Sequence, residues 1–347
     1  MISCRHQILC KVMGNGIYYS GIYWNDHKIV ADHLSSLISG DPGTGWIQHF
    51  KQVAGKRFKK VLFLNCGNGW VERDFCKYDL FDEAVGLDCS EELLEQARSL
   101  ASEEKLPIRY YKVDINDADF VEAGFDLVVN HAAAHHITLI DKVFRKICAS
   151  LPEDGIFLSY DYVGPHRNQY DINTWQQIWA TNKLLPRELR HPRLRYPHYP
   201  TMLVIDPTEA VHSELIINTF LRYFRFDKFI PLGGSIAYPL LTHNTAIMEA
   251  PGEVTAPWLK FIIDEDVSLL KQQPDSSLFA FFYGKPNKNV LFSQSQLSNW
   301  KEEEEARESQ VLTKGGRYYT GNVVANLYEE MEAVRALSSQ IQSLLGE

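Results

Sequence analysis

The sequence predicts a doubly wound α/β fold, a mostly parallel sheet with helices on both faces, and three features predict it. The first is Lys59 to Arg73, KKVLFLNCGNGWVER, which reads as a buried strand, a glycine turn and the opening of a helix. The second is a further apolar strand, Ala84 to Leu87, ending in Asp88. That acid falls about 20 residues beyond the glycines, the spacing at which a carboxylate can meet a ribose. The third is the alternation of short apolar runs at 60–65, 84–88, 108–113, 125–130 and 155–161 with helical patterns such as Glu91 to Glu103 and Leu139 to Leu151. Strands that alternate with helices pair in parallel through right-handed crossovers.

Each element has a local reason. Val61, Leu62, Phe63 and Leu64 are apolar without alternation, as expected of a strand covered on both faces. In Gly67-Asn68-Gly69 the missing β-carbons let the backbone turn tightly and a ligand press against it. A dinucleotide fingerprint would add a third glycine that seats a pyrophosphate on the helix N-terminus. Glu72 stands there instead, a bulky anion expected to repel a diphosphate and not a cationic cofactor. Ser90 is placed to cap the next helix, with Glu91 and Glu92 in its positive first turn. Ligands of such sheets bind beyond the carboxyl ends of the strands. That rule sets Asn65 to Gly69, Asp88, Asp114-Ile115, Asn130-His131 and Asp161-Tyr162 along one rim.

Through VLFLNCGNG, GLD, YKVDI around Asp114 and FDLVVNHAAAHHI, residues 55 to 165 resemble the class I S-adenosylmethionine (SAM)-dependent methyltransferases. The resemblance implies a Rossmann-like seven-stranded sheet whose last strand, Ser277 to Tyr283, runs antiparallel, and SAM as cofactor. It implies a cofactor site of Asn65, Gly67, Asn68, Gly69, Asp88, Cys89, Asp114, Ile115, Asn130 and His131. Asp88 would take the ribose hydroxyls, Asp114 the adenine amine, and Ile115 would cover the ring. The chain departs from the family pattern at Phe63, where an acid is common, and at Asn65, where a glycine is common. Asn tolerates left-handed backbone better than most residues.

SAM is already activated, so methyl transfer mainly needs alignment and exclusion of water. A hydroxyl acceptor also needs a base. His135 and His136, after the fourth strand, are candidates for it, and packing of the pair is the alternative. The i,i+4 pair His131 and His135 lacks the intervening Glu of HExxH, Ala132 standing in its place, and lacks a third ligand, so no metal is expected. Asp161, Tyr162, His166, Arg167 and Gln169 lie in DYVGPHRNQY. A similar G-P-x-R-x-Q stretch occurs in bacterial relatives, several associated with sugar and glycan modification. These residues either hold a hydroxylated substrate or form a hydrogen-bonded turn. The candidate catalytic set is thus His135, His136, Asp161 and Arg167, with Arg193 or Arg195 as further acceptor contacts.

The chain divides into five segments. Residues 1–54 are an aromatic-rich cofactor-covering segment, with Tyr18, Tyr19, Tyr23 and Trp24 as cover and a turn at Asp41-Pro42-Gly43. Residues 55–163 are the SAM-binding core, and 164–212, rich in proline, arginine and aromatics, are a lid or substrate-recognition insert. Residues 213–290 complete the core, with the returning helix read as Pro207 to Tyr223 and a later one as Pro257 to Lys271. Residues 291–347 are a charged linker and an amphipathic helical tail, set to pack on its own domain, a second copy or another protein.

The net charge of −9 over 347 residues argues against a general nucleic-acid binder. The longest apolar stretch, Phe229 to Leu241, is too short and too rich in proline and glycine to span a bilayer. Six cysteines without a CxxC pair read as reduced thiols, and no targeting segment is evident, so a cytoplasmic protein is expected. The expected function is SAM-dependent methylation of a small hydroxylated acceptor, a sugar, glycan or natural-product hydroxyl. The alternative is a non-catalytic scaffold of the same fold acting through its tail helix.

Overall fold

The computed structural model describes residues 21–291. Seven strands form one sheet in the order β3-β2-β1-β4-β5-β7-β6. They are β1 (Phe58–Leu64), β2 (Phe81–Asp88), β3 (Ile108–Lys112), β4 (Leu127–His131), β5 (Ile156–Tyr162), β6 (Phe224–Gly233) and β7 (Phe279–Pro286). The first five pair in parallel, and β7 runs antiparallel to both β5 and β6. This is the seven-stranded sheet with an antiparallel last strand that the sequence resemblance implies.

The unbroken apolar run of β1 is explained by its two covered faces. Val61 and Phe63 point into one core, shared with Phe50, Phe75 and Phe281. Leu62 and Leu64 point into the other, shared with Phe144, Phe157 and Phe220. Full burial of each such side chain contributes about 1.5–3 kcal/mol. The first core is covered in part by α1 (Lys28–Ser39), α2 (Trp46–Ala54) and α3 (Trp70–Lys77). α4 (Glu91–Glu103) packs beside β3, its N-terminus capped as expected by the Ser90 hydroxyl, which accepts the Leu93 N–H. α5 (Ile140–Ser150) covers the second core.

Asp41 closes the expected turn by accepting the Gly43 N–H. Between β5 and the helix that returns to the core lie α6 (Ile172–Leu184) and α7 (Tyr199–Ile205). That returning helix, α8, spans only Ile216–Tyr223 and does not start at Pro207. The Asp206 side chain accepts the N–H groups of Thr208 and Glu209, and Ala210 sits in the left-handed region at φ 50°, so residues 206–212 turn instead of winding. A long helix, α9 (Gly252–Gln272), begins five residues earlier than the sequence pattern suggests, with Pro257 inside its early turns. Among the described residues no helix is long and apolar enough to cross a membrane. Tyr18, Tyr19 and the amphipathic tail lie outside the described residues.

Candidate active site

A cavity of about 700 Å³ opens beyond the carboxyl ends of β1, β2, β4 and β5. Its walls include ten of the residues singled out by sequence: Asn65, Gly67, Asp88, Cys89, Asp114, Ile115, His131, His135, His136 and Asp161. Tyr23 and Trp24 also line it.

The first turn is built by strained backbone. Asn65 adopts φ 44° and donates its side-chain amide to the Ala133 carbonyl at 3.3 Å, joining the ends of β1 and β4. Gly67, at φ 56°, faces the cavity. Its N–H donates to one oxygen of Asp88 and the Ser90 N–H donates to the other, each at 2.8 Å. Asp88 is therefore clamped at the end of β2 with lone pairs left over on a carboxylate that can accept about four hydrogen bonds. Burial pushes its carboxyl up from the usual range. Asp114 caps a short 3-10 turn by accepting from the backbone and side chain of Asn116, and it lines the cavity beside buried Ile115.

Three expected cofactor residues do not form the wall. A β-carbon at Gly69 would meet the Tyr110 hydroxyl at 2.4 Å and Ala97 at 3.1 Å, so this glycine lets β3 and α4 close on the turn. Asn68 turns away, its carbonyl accepting from Arg73. Asn130 is fully buried behind the wall and donates to Ser159 and Asp161, which makes it a support for Asp161. Arg167 is also misplaced as an acceptor residue. It is 3 % exposed and absent from the cavity wall, and its guanidinium donates to the carbonyls of Asp206, Pro207 and Glu209. It braces the 206–212 turn. Arg193 and Arg195 are exposed and likewise absent from the wall.

Glu72 also differs from expectation. It lines the cavity yet is wholly buried, and burial pushes its carboxyl up to about 8 against the opposing interaction with the Cys66 thiol. Near neutral pH it is mostly protonated, so its bar to a diphosphate is its bulk and not its charge.

The far wall is a charged group around His135. Asp161 Oδ2 accepts from Asn130 and from the Ala133 and Ala134 N–H groups, while Oδ1 sits 2.5 Å from His135 Nδ1. His135 Nε2 lies 3.7 Å from Glu209. Burial alone would depress this ring, but Asp161 and Glu209 outweigh it and push it up to about 10. His135 is thus an imidazolium held between two carboxylates, unsuited to taking a proton. His136 is lowered, by burial and by the neighbouring His135 charge, and is neutral at pH 7. Its Nδ1 lies 3.1 Å from the Thr208 hydroxyl and its Nε2 lies 3.8 Å from Glu209. His131 stacks on Trp46 and meets Trp70 edge-on, and burial drives it down to about 4.

Ligand atoms of His135, His136 and Glu209 lie within 4.8 Å of one another. This cluster is not the His131 and His135 pair weighed from sequence, since His131 is no part of it. An ion there would have to displace the His135 proton that two carboxylates retain. Trp46, Trp70, Tyr160 and Tyr238 also line or back the site without any sequence motif to announce them.

Comparison with known proteins bears on this geometry. Residues 61–155 match the model of a methyltransferase domain. An uncharacterized methyltransferase of Bacillus subtilis, YcgJ, is 24% identical over 151 residues, which cover 38% of this chain and 59% of the relative. A human mitochondrial arginine-hydroxylase, NDUFAF5, is 25% identical over 128 residues, 37% of this chain and 35% of that protein. Among solved structures, a phosphoethanolamine N-methyltransferase of Haemonchus contortus with S-adenosylhomocysteine aligns over 70% of this chain and 52% of that one, at 17% identity and a TM-score of 0.44. Residues 61–155 carry a methyltransferase domain, and the matches support a class I SAM-dependent methyltransferase. The stretch matched to the first relative spans just under three-fifths of that relative's length.

Proposed function

We propose that the chain transfers a methyl group from SAM to a hydroxyl of a small acceptor, such as a sugar, a glycan or a natural-product alcohol. The observation that carries the reading is a neutral imidazole, His136, on the wall of the same cavity that presents the clamped Asp88. SAM supplies an activated methyl on a sulfonium. Asp88 would accept from the ribose hydroxyls, and Ile115 and Asp114 would hold the adenine. His136 would take the proton of an acceptor hydroxyl as that oxygen is methylated. His135, fixed by Asp161, and Glu209 keep His136 in place. The aromatic rings of Tyr23 and Trp24 would keep water from the methyl.

Calorimetric titration tests the cofactor: SAM and S-adenosylhomocysteine bind, and NAD does not. Binding of NAD without SAM overturns it. A screen of glycans and hydroxylated metabolites with labelled SAM tests the acceptor. With an acceptor in hand, His136→Ala lowers kcat about 100-fold or more while S-adenosylhomocysteine affinity holds. Undiminished turnover in that variant removes His136 as base.

A further inference from the structure

We infer that His166, His212 and Glu214 form a binding site for a divalent transition-metal ion, with Zn²⁺ the best match, which fastens together the two ends of the segment between β5 and α8. The three residues stand outside the cavity wall, and ligand atoms of all three lie within 4.8 Å of one another.

The inference starts from polar atoms that lack partners. His166 Nε2, His212 Nδ1 and Glu214 Oε2 are each sealed from solvent, and none has a hydrogen-bond partner. Buried polar atoms are nearly always paired, so a single orphan calls for a reason. Here three belong to residues whose ligand atoms lie within 4.8 Å of one another, and His212 is 8 % exposed as a whole residue. Each is a ligand atom, and together they offer two imidazole nitrogens and one carboxylate oxygen. That donor set suits Zn²⁺, which binds such atoms at about 2.0–2.2 Å and often keeps a fourth position for water.

The support around the ligands fits the same reading. His166 Nδ1 lies 2.7 Å from the Val211 carbonyl. A carbonyl can only accept, so Nδ1 carries the proton and Nε2 presents its lone pair inward. Metal-binding imidazoles are commonly oriented by this kind of hydrogen bond. Burial lowers both rings, His212 to about 4, so both are neutral and free of a competing proton at pH 7. Burial also raises the Glu214 carboxyl, a cost that a cation would remove. The charge of Arg167 acts on both rings and would oppose a cation there, an effect the Glu214 carboxylate offsets. Its guanidinium is engaged by the carbonyls of residues 206, 207 and 209.

The position gives the ion a structural task. His166 follows β5, whereas His212 and Glu214 precede α8, so one ion would clip the start of the inserted segment to its end. The strap between includes Pro207, Thr208 and Glu209, which line the cavity, and Val211 donates its N–H to the His135 carbonyl. An occupied clip therefore holds Glu209 beside the two histidines. A single bridging water is the competing occupant of the three orphaned atoms.

The test uses the full chain, stripped with a chelator and dialysed, then titrated with Zn²⁺ and separately with Co²⁺. Bound metal is counted by mass spectrometry, and the Co²⁺ spectrum reports nitrogen and oxygen ligands. We expect one equivalent of Zn²⁺, a rise of several degrees in Tm on binding, and about 100-fold weaker binding in both His212→Ala and Glu214→Gln. His136→Ala keeps the equivalent. Wild-type protein that takes up no stoichiometric metal overturns the inference and leaves water at the site. So does uptake that survives Glu214→Gln, or that is lost in His136→Ala and retained in His212→Ala. Should His212→Ala fail to fold, the near-isosteric Glu214→Gln and the wild-type stoichiometry still decide.

Discussion

Replacing Asp88 by Ala separates the cofactor reading from a purely structural one. Both Asp88 oxygens accept a backbone N–H at 2.8 Å, from Gly67 and Ser90, and the side chain is 7 % exposed at the cavity wall. If the remaining lone pairs take the ribose hydroxyls, the substitution removes hydrogen bonds to a charged acceptor, each worth about 1.5–3 kcal/mol. Allowing for water entering the vacated space, the loss in binding is about 2–3 kcal/mol, a roughly 30- to 150-fold rise in Kd. The same change leaves two backbone N–H groups without their partner, so Tm should fall by several degrees. Calorimetric titration with S-adenosylhomocysteine, run well below the variant's midpoint, measures the first effect without the second. A folded Asp88→Ala protein whose Kd lies within about threefold of the parent would refute the ribose assignment and leave Asp88 as a brace for the turn alone.

The His135 group predicts a pH profile of stability. Its folded value of about 10 lies above the ordinary 6.5, so its contribution is complete below pH 6.5 and is lost as the pH rises toward 10. Glu209, held near 2 against the ordinary 4.5 by His135 despite its burial, contributes above pH 4.5 and loses that contribution as the pH falls toward 2. Tm measured against pH should therefore decline between 7 and 10, and His135→Gln should flatten that limb; an unchanged slope would mean that the ring is not charged in the folded protein. Arg167→Ala should destabilise the fold by about 2–3 kcal/mol, because three carbonyls of the 206–212 turn lose their charged donor. A variant with unchanged Tm and only a raised acceptor KM would return Arg167 to the acceptor site.

Much of the frame could be read along the chain because it depends on local patterns. The unbroken apolar run of Val61 to Leu64, the glycines after it and the acid closing β2 each report a backbone environment through residue type alone. They located the rim, and ten of the fourteen candidate residues stand on the cavity wall. The four exceptions have separate causes. Asn130 alternates on β4 with Val129 and His131, which line the cavity, because a strand reverses side-chain direction at each step, whereas Gly69 is closed in by Tyr110 and Ala97 and Asn68 lies in the turn between it and Gly67. Arg167 was placed by its charge, but its left-handed backbone turns the guanidinium toward three carbonyls.

What only the tertiary structure decided concerns pairs distant in sequence. Glu209 reaches His135 and His136 across more than seventy positions, through a turn set by Asp206 and Ala210 where the sequence pattern suggested a helix. Glu209 raises both rings alike, and it is Asp161, bonded to His135 alone, that divides two adjacent histidines into a raised one and a lowered one. Glu72 likewise changes from a bulky anion to a neutral acid once it is sealed from water. Sequence determined which groups were present and along which rim, since strand period and turn chemistry are local. Their protonation and partners depend on burial and on the field of distant charges, which exist only after the chain has closed on itself.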